Sequence, residues 1–155
     1  VEACQMLAYV CSPHYYGYGN LPKKDGNPYS ASPKNPHLKH SCTLWVAESV
    51  HNMHWLIAHA EAVCAEYTYR YGKDHACVQT LHVARQIIPR GDLEKHTPFA
   101  RSMPDGLRYN RSIDTYTAYK LHMASKPWLS SNYVKAPHRR PDWAEPLWYA
   151  QHFVH

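Results

Sequence analysis

Between residues 43 and 71 the chain keeps one rhythm. Val46, Val50, Met53, Ile57, Ala60, Cys64, Tyr67 and Tyr71 follow at alternating steps of four and three, which lays them along a single helical face. The pattern predicts one long helix, 43–71, with Ser41 or Thr43 as its cap and Gly72 where a left-handed residue would end it. Asp74 then reads as the cap of a second helix, 74–88, in which Cys77, Val78, Leu81, Ala84 and Ile88 recur before Pro89 stops it. So short a turn predicts antiparallel neighbours. Val1, Cys4, Leu7, Ala8 and Cys11 mark a helix over 1–11, and Ser112 reads as the cap of another, 112–126, carrying Tyr116, Tyr119, Lys120 and Met123 up to Pro127.

The segments between these helices are dense in breakers. Pro13, Pro22, Pro28, Pro33 and Pro36, with Gly17, Gly19 and Gly26, exclude a long regular element over 12–41, and Pro89, Pro98, Pro104 and Gly106 do the same over 89–111. No stretch alternates like a strand. The expected fold is therefore all-α, a single-domain helical bundle over 1–155 with long proline-rich loops, the helices at 1–11 and 112–126 completing the core.

Composition narrows the setting. Apolar residues at 45% and charged residues at 19% belong to a globular chain, and 155 residues can bury one core without disulfides or metal as obligatory staples. The five cysteines are odd in number and lie mostly inside helical patterns, so they read as reduced intracellular thiols. No run reaches the roughly 18 apolar residues of a membrane span. A soluble cytoplasmic protein is the expectation. The helical pattern runs from Val1 with no initiator methionine, which predicts an N-terminally incomplete copy of the domain. A net charge of +5 suits polyanions without requiring them.

Candidate chemistry lies beside the apolar face. Ser49, Asn52, Leu56, His59, Val63, Glu66 and Arg70 form a second seam with the same spacing, and Lys73 continues it past the glycine. A stripe adjoining a core is at least half buried, so its polar groups need partners. One reading is structural: Ser49 and Asn52 bond to a neighbouring helix, and Glu66 pairs with Arg70 in the favoured acid-first order. The other makes the stretch "EYTYRYGKDH" a site, with Glu66 or His75 as general acid or base and Asn52, His59, Arg70 and Lys73 holding an anionic ligand. The basic, aromatic tail, with Lys135, Arg139 and Arg140 among Trp128, Tyr133, Trp143 and Trp148, suits stacking on bases and neutralising phosphates, or else anchors itself to the bundle by its tryptophans.

Metal and nucleophile templates fare worse. His37, His40 and Cys42, His51 and His54, and His75 with Cys77 are near neighbours, yet none forms the paired clusters of a zinc finger or ribbon, and no His-Glu-x-x-His is present. No metal is assigned, and the sequence leaves the cofactor unknown. Phosphate-binding glycine loops, nucleophile elbows and dinucleotide fingerprints are missing too, and Cys42 and Cys77 read as inert thiols.

The segments "EACQMLAYV", "HSCTLWVAESVHNMHWL", "EYTYRYGKDH", "TPFARSMPD" and "YTAYK", followed by "PDW", resemble a family of tailed-bacteriophage and marine viral metagenome proteins. Members begin with an upstream strand-like segment and a Cys-Asp-Lys-His stretch that this chain lacks, and Ser41 stands where they carry proline. The resemblance implies a viral accessory protein in an infected cell and implies no reaction. Two function classes remain. The first is an enzyme acting on nucleic acid or nucleotides through a cleft lined by Glu66, His75, Asn52, His59, Arg70 and Lys73, with Asp105 of "MPD" nearby. The second is a non-enzymatic binding or structural protein, a host-factor inhibitor or a component of a viral complex.

Overall fold

The computed structural model describes residues 1–144, Pro36 for its backbone only. Among these the regular structure is helical: α1 (Glu2–Cys11), α2 (Ser41–Ala47), α3 (Val50–Tyr71), α4 (Val78–Ile87), α5 (Asp105–Arg108) and α6 (Thr115–Ala124), joined by loops with short 3-10 turns. The only pairing of extended backbone among the described residues is an isolated bridge, Pro22 to Pro28. The all-α expectation holds. The chain divides into two compact units, 1–100 and 101–155.

In the first unit α3 is the spine. Met53, Ile57, Ala60 and Cys64 are buried along the predicted face, against Cys4, Leu7, Ala8 and Cys11 of α1, Trp45 and Val46 of α2, and Leu81 and Ala84 of α4. Partners fall along α3 as they rise along α4: Glu61 pairs with Arg85, and His54 reaches Pro89 just beyond the helix end. That order makes the two antiparallel, as the short turn predicts. At its two ends the rhythm overreaches, for Val50 is only half-buried and Tyr71 is exposed.

The long helix is not continuous. Ser49 adopts an extended conformation (φ −161°, ψ 158°) between α2 and α3, and its hydroxyl accepts from the Asn52 amide at 3.1 Å. Ser49 is thus a cap rather than a bond to a neighbouring helix. The expected caps shift as well: His40 caps α2 through Nδ1, which accepts from the Cys42 amide, while Thr43 is buried within the helix. Asp74 does not start α4, which begins only at Val78. Its carboxylate instead shares the Thr68 hydroxyl with the Cys64 carbonyl. Gly72 does end α3, at φ +65° in the left-handed region that only glycine adopts without strain.

A strap closes the first unit. Residues 89–97 run back over the α2–α3 corner: His54 Nε2 lies 2.8 Å from the Pro89 carbonyl, His51 Nδ1 accepts from the Asp92 amide at 2.8 Å, and the Trp45 indole donates to the Thr97 carbonyl at 3.2 Å. The strap lies so close that a Cβ on Gly91 would meet His54 Cδ2 at 2.6 Å and the Val50 carbonyl oxygen at 2.8 Å. His51 and His54, neighbours with zinc-like spacing, are fasteners for this backbone.

The second unit has its own core of Met103, Leu107, Ala118 and Leu121. Helix 112–126 was expected to complete the core built on the long helix; its buried side chains instead join this second cluster, because Met103 and Leu107 supply the apolar face they need. The true cap is Asp114, which accepts from the Thr117 amide at 2.9 Å, so α6 starts later than Ser112 and ends at Ala124. Arg101 organises the loop before it. Its guanidinium donates to the carbonyls of Leu107, Asn110 and Ile113 and to the Thr115 hydroxyl. Trp128, expected as a tail anchor, is 47% exposed. Trp143 is half-buried, and Trp148 lies outside the described residues.

Candidate functional site

The stretch Glu66–His75 splits into three fates at the end of α3. Glu66 and Arg70 close on each other at 2.8 Å, with side chains 26% and 15% exposed, one turn apart as their spacing predicts. On the adjoining side Tyr67 packs on Tyr71 (ring centroids 4.6 Å apart) and edge-on against His75 (4.9 Å, 83°). Thr68, Gly72 and Asp74 serve the corner itself, and Lys73 is exposed.

His75 turns inward because its Nδ1 accepts from the Cys77 amide at 3.2 Å, a local turn that brings the chain into α4. There it helps line a groove of about 380 Å³ with Cys4 of α1, His59, Val63, Cys64 and Tyr67 of α3, and Cys77. Of the predicted site residues, the groove brings together His59 and His75. Glu66, Arg70 and Lys73 are not among its lining residues.

The groove is buried at its floor, where Cys4, Cys64 and Cys77 lie, and open to solvent at its rim, where His59 and Val63 are exposed. Burial, reinforced by the neighbouring Cys77, pushes the Cys4 thiol up to about 12, and burial also raises that of Cys64. His59 is held below the ordinary histidine range by desolvation, its ring stacked on Trp55 (5.2 Å, 10°) while its outer edge still meets solvent. Neutral imidazole and protonated thiol are the forms this environment favours. Such a lining can take an apolar or aromatic group and orient it by a few weak polar contacts.

Asn52 has a different role. It is fully buried, its Nδ2 donates to the Trp45 carbonyl (2.6 Å) and the Thr97 hydroxyl (2.8 Å), and its Oδ1 accepts from the Thr97 amide (2.9 Å). Every hydrogen-bonding position that holds the strap is filled by protein. Asp105 belongs to the second unit, in the first turn of α5, with its carboxylate 80% exposed and 3.7 Å from Arg108. In the same unit Arg140 lines a cavity of about 450 Å³ with Ser130, Tyr133, Pro137 and Asp142, while Lys135 and Arg139 are exposed.

The residues that sequence reasoning missed are the thiols of Cys4, Cys64 and Cys77. Cys4 and Cys64 sit on the apolar faces of α1 and α3 and Cys77 just ahead of α4, places where a cysteine reads as filler. Their convergence is visible only once three segments are packed. Among the described residues no group of three or more His, Cys, Asp or Glu side chains is arranged to hold a metal ion, and no helix is long and apolar enough to cross a membrane.

These features define a small all-α protein with a thiol- and imidazole-lined groove at one end of its longest helix. The chain matches no protein-family model, no curated protein and no solved structure.

Proposed function

We propose that the chain is a non-enzymatic binding protein, in keeping with the viral accessory role its sequence resemblance implies, and that the groove beside Tyr67 and His75 receives an apolar or aromatic side chain from a protein partner. The observation that carries this reading is the separation of the acid–arginine pair from the groove. A phosphate-handling enzyme needs Arg70 and Lys73 to face the cavity in which Glu66 or His75 moves a proton. Here Arg70 is engaged by Glu66, and the concave surface is mainly apolar, with Glu2 the one acidic side chain and no arginine or lysine among its lining residues. Its volume falls within the ~300–1,000 Å³ typical of ligand pockets.

The test is selection of binding peptides from a random displayed library, followed by measurement of their affinity for Val63→Glu. Val63 lines the groove and is 56% exposed, so the substitution puts a charge at the groove without disturbing the core. The expected result is a set of peptides anchored by aromatic or aliphatic residues whose binding Val63→Glu abolishes. Peptides that bind the variant equally well would place the contact elsewhere.

A second reading has one observation behind it. In the second unit Tyr133 and Arg140 share a cavity, with Lys135 and Arg139 exposed close by in sequence, a combination suited to a stacked base and its phosphate. Salt-dependent binding of single-stranded DNA, weakened by Arg139→Gln with Arg140→Gln, would support it; no binding at low salt would remove it.

A further inference from the structure

We infer that the partner segment whose apolar side chain enters the groove is acidic beside that anchor, its carboxylates meeting Lys23 and Lys24 in an adjoining cavity. The inference rests on the reading of the groove as the receptor of a protein side chain. The adjoining cavity, of about 530 Å³, includes in its lining Lys23, Lys24, Tyr29 and Ser30 of the loop after α1, Gln5 of α1, and Ala76. A thin wall separates the two spaces. Ala76 lines the cavity while its chain neighbours His75 and Cys77 line the groove, Val1 lines both, and the Tyr29 hydroxyl stands 4.0 Å from Cys77 Sγ across the wall.

A tight turn holds the backbone of both lysines in place. The Lys23 amide donates to the Asn27 carbonyl at 2.7 Å and the Gly26 amide returns to the Lys23 carbonyl at 3.0 Å, inside the bridge between Pro22 and Pro28. At the base of the turn the Thr80 hydroxyl of α4 donates to the Pro22 carbonyl at 2.7 Å, which ties the turn to the core. Both lysines are exposed, and Lys23 Nζ lies 6.0 Å from the centroid of the Tyr29 ring.

The charge this cavity offers a ligand is positive. Asp25 is the one carboxylate in its lining, and Asn27 engages both carboxylate oxygens, through its backbone amide at 3.0 Å and its side chain at 3.1 Å. Among the described residues neither lysine is paired with a carboxylate. Glu2 lines the groove but not the lysine cavity, so a bound segment meets an acid within the groove and two ammonium groups only beyond the wall. Carboxylates on the segment are therefore favoured over the turn and disfavoured at Glu2. An extended chain advances about 3.3–3.6 Å per residue, which brings positions within a few residues of the anchor over the cavity. The net charge of +5 steers an acidic partner in the same sense.

The test takes the peptides selected from the displayed library and measures their affinity for the full chain as wild type, as Val63→Glu, and as a double variant carrying Lys23→Glu and Lys24→Glu. The selected peptides should carry aspartate or glutamate within a few positions of their apolar anchor, bind the double variant at least about tenfold more weakly, and weaken as salt is raised. Replacing their acids with lysine should restore binding to the double variant, a rescue that a folding defect cannot mimic. Peptides that Val63→Glu abolishes but the double variant binds unchanged would overturn this inference and leave the groove reading standing. A loss on the double variant that lysine-bearing peptides do not rescue would overturn it as well. Peptides indifferent to Val63→Glu, or a library that yields no binder, would remove the groove reading and this inference together.

Discussion

Replacing Asn52 separates a strap-holding residue from a ligand-binding one. Asn52→Ala removes three hydrogen bonds, to the Trp45 carbonyl, the Thr97 hydroxyl and the Thr97 amide, from a residue with no exposed surface. A typical bond contributes about 0.5–1.5 kcal/mol net, and a buried group left unpaired costs about 1–3 kcal/mol. The Trp45 carbonyl keeps the Glu48 amide at 3.2 Å, the Thr97 hydroxyl keeps its bond to the Glu48 carboxylate, and the half-buried strap can turn toward water, so no group is left wholly unpaired. The expected destabilisation is therefore that of the three lost bonds, about 2–3 kcal/mol, still a large fraction of the stability of an ordinary domain. Asn52→Asp should be at least as damaging near neutral pH, because a carboxylate oxygen would then face the Trp45 carbonyl at the 2.6 Å now spanned by an N–H donor. Urea unfolding followed by tryptophan fluorescence measures both, with Trp45 itself beside the lesion. A loss below about 1 kcal/mol for either variant would refute the strap's dependence on Asn52.

Gly91→Ala should cost about 1–3 kcal/mol, since the new methyl meets the Val50 backbone, while Gly106→Ala, with open space around it, should be neutral or slightly stabilising; equal urea midpoints for the two would contradict this. Arg101→Lys should lower stability by about 2–4 kcal/mol, because an ammonium cannot reach the four acceptors that the planar fork satisfies, and full retention of the midpoint would count against it. His59 and His122 are both held below the ordinary histidine range, His59 by burial and His122 by burial and then Lys126, so the unfolded chain takes up protons first. Stability should therefore be whole above about pH 6.5 and decline as pH falls through the lower folded-state range. Replacing both with glutamine should flatten that decline in urea midpoints, and an unchanged slope would assign it to other groups.

Much of the spine is legible in the sequence because a single face recurs without interruption. Met53, Ile57, Ala60 and Cys64 are buried where the period puts them. The break at Ser49 is hidden by the same regularity: Val46 and Val50 stay in step across it, so periodicity cannot reveal that one residue between them leaves the helical region. The start of α4 is misjudged because Asp74 has the chemistry of a cap, while the residue that turns the chain is His75, through a ring nitrogen that cap preferences do not favour. Of the candidate site, the Glu66–Arg70 pair could be read from its spacing alone. The groove could not, since Cys4, His59, Tyr67 and Cys77 come from distant segments and each looks like ordinary core or surface where it stands.

Whether the polar seam is structural or ligand-binding is tested most directly by thermal unfolding of the wild type and Glu66→Gln, each alone and with single-stranded DNA, duplex DNA or a panel of nucleotides. If Glu66 is a structural partner of Arg70, the variant loses about 1–2 kcal/mol, between the values for exposed and buried pairs, and melts a few degrees lower, while no ligand moves either midpoint. If instead a nucleotide or DNA raises the wild-type midpoint and Glu66→Gln keeps its own stability but loses that shift, the seam is a binding site for that ligand and the structural role assigned to the Glu66–Arg70 pair is wrong.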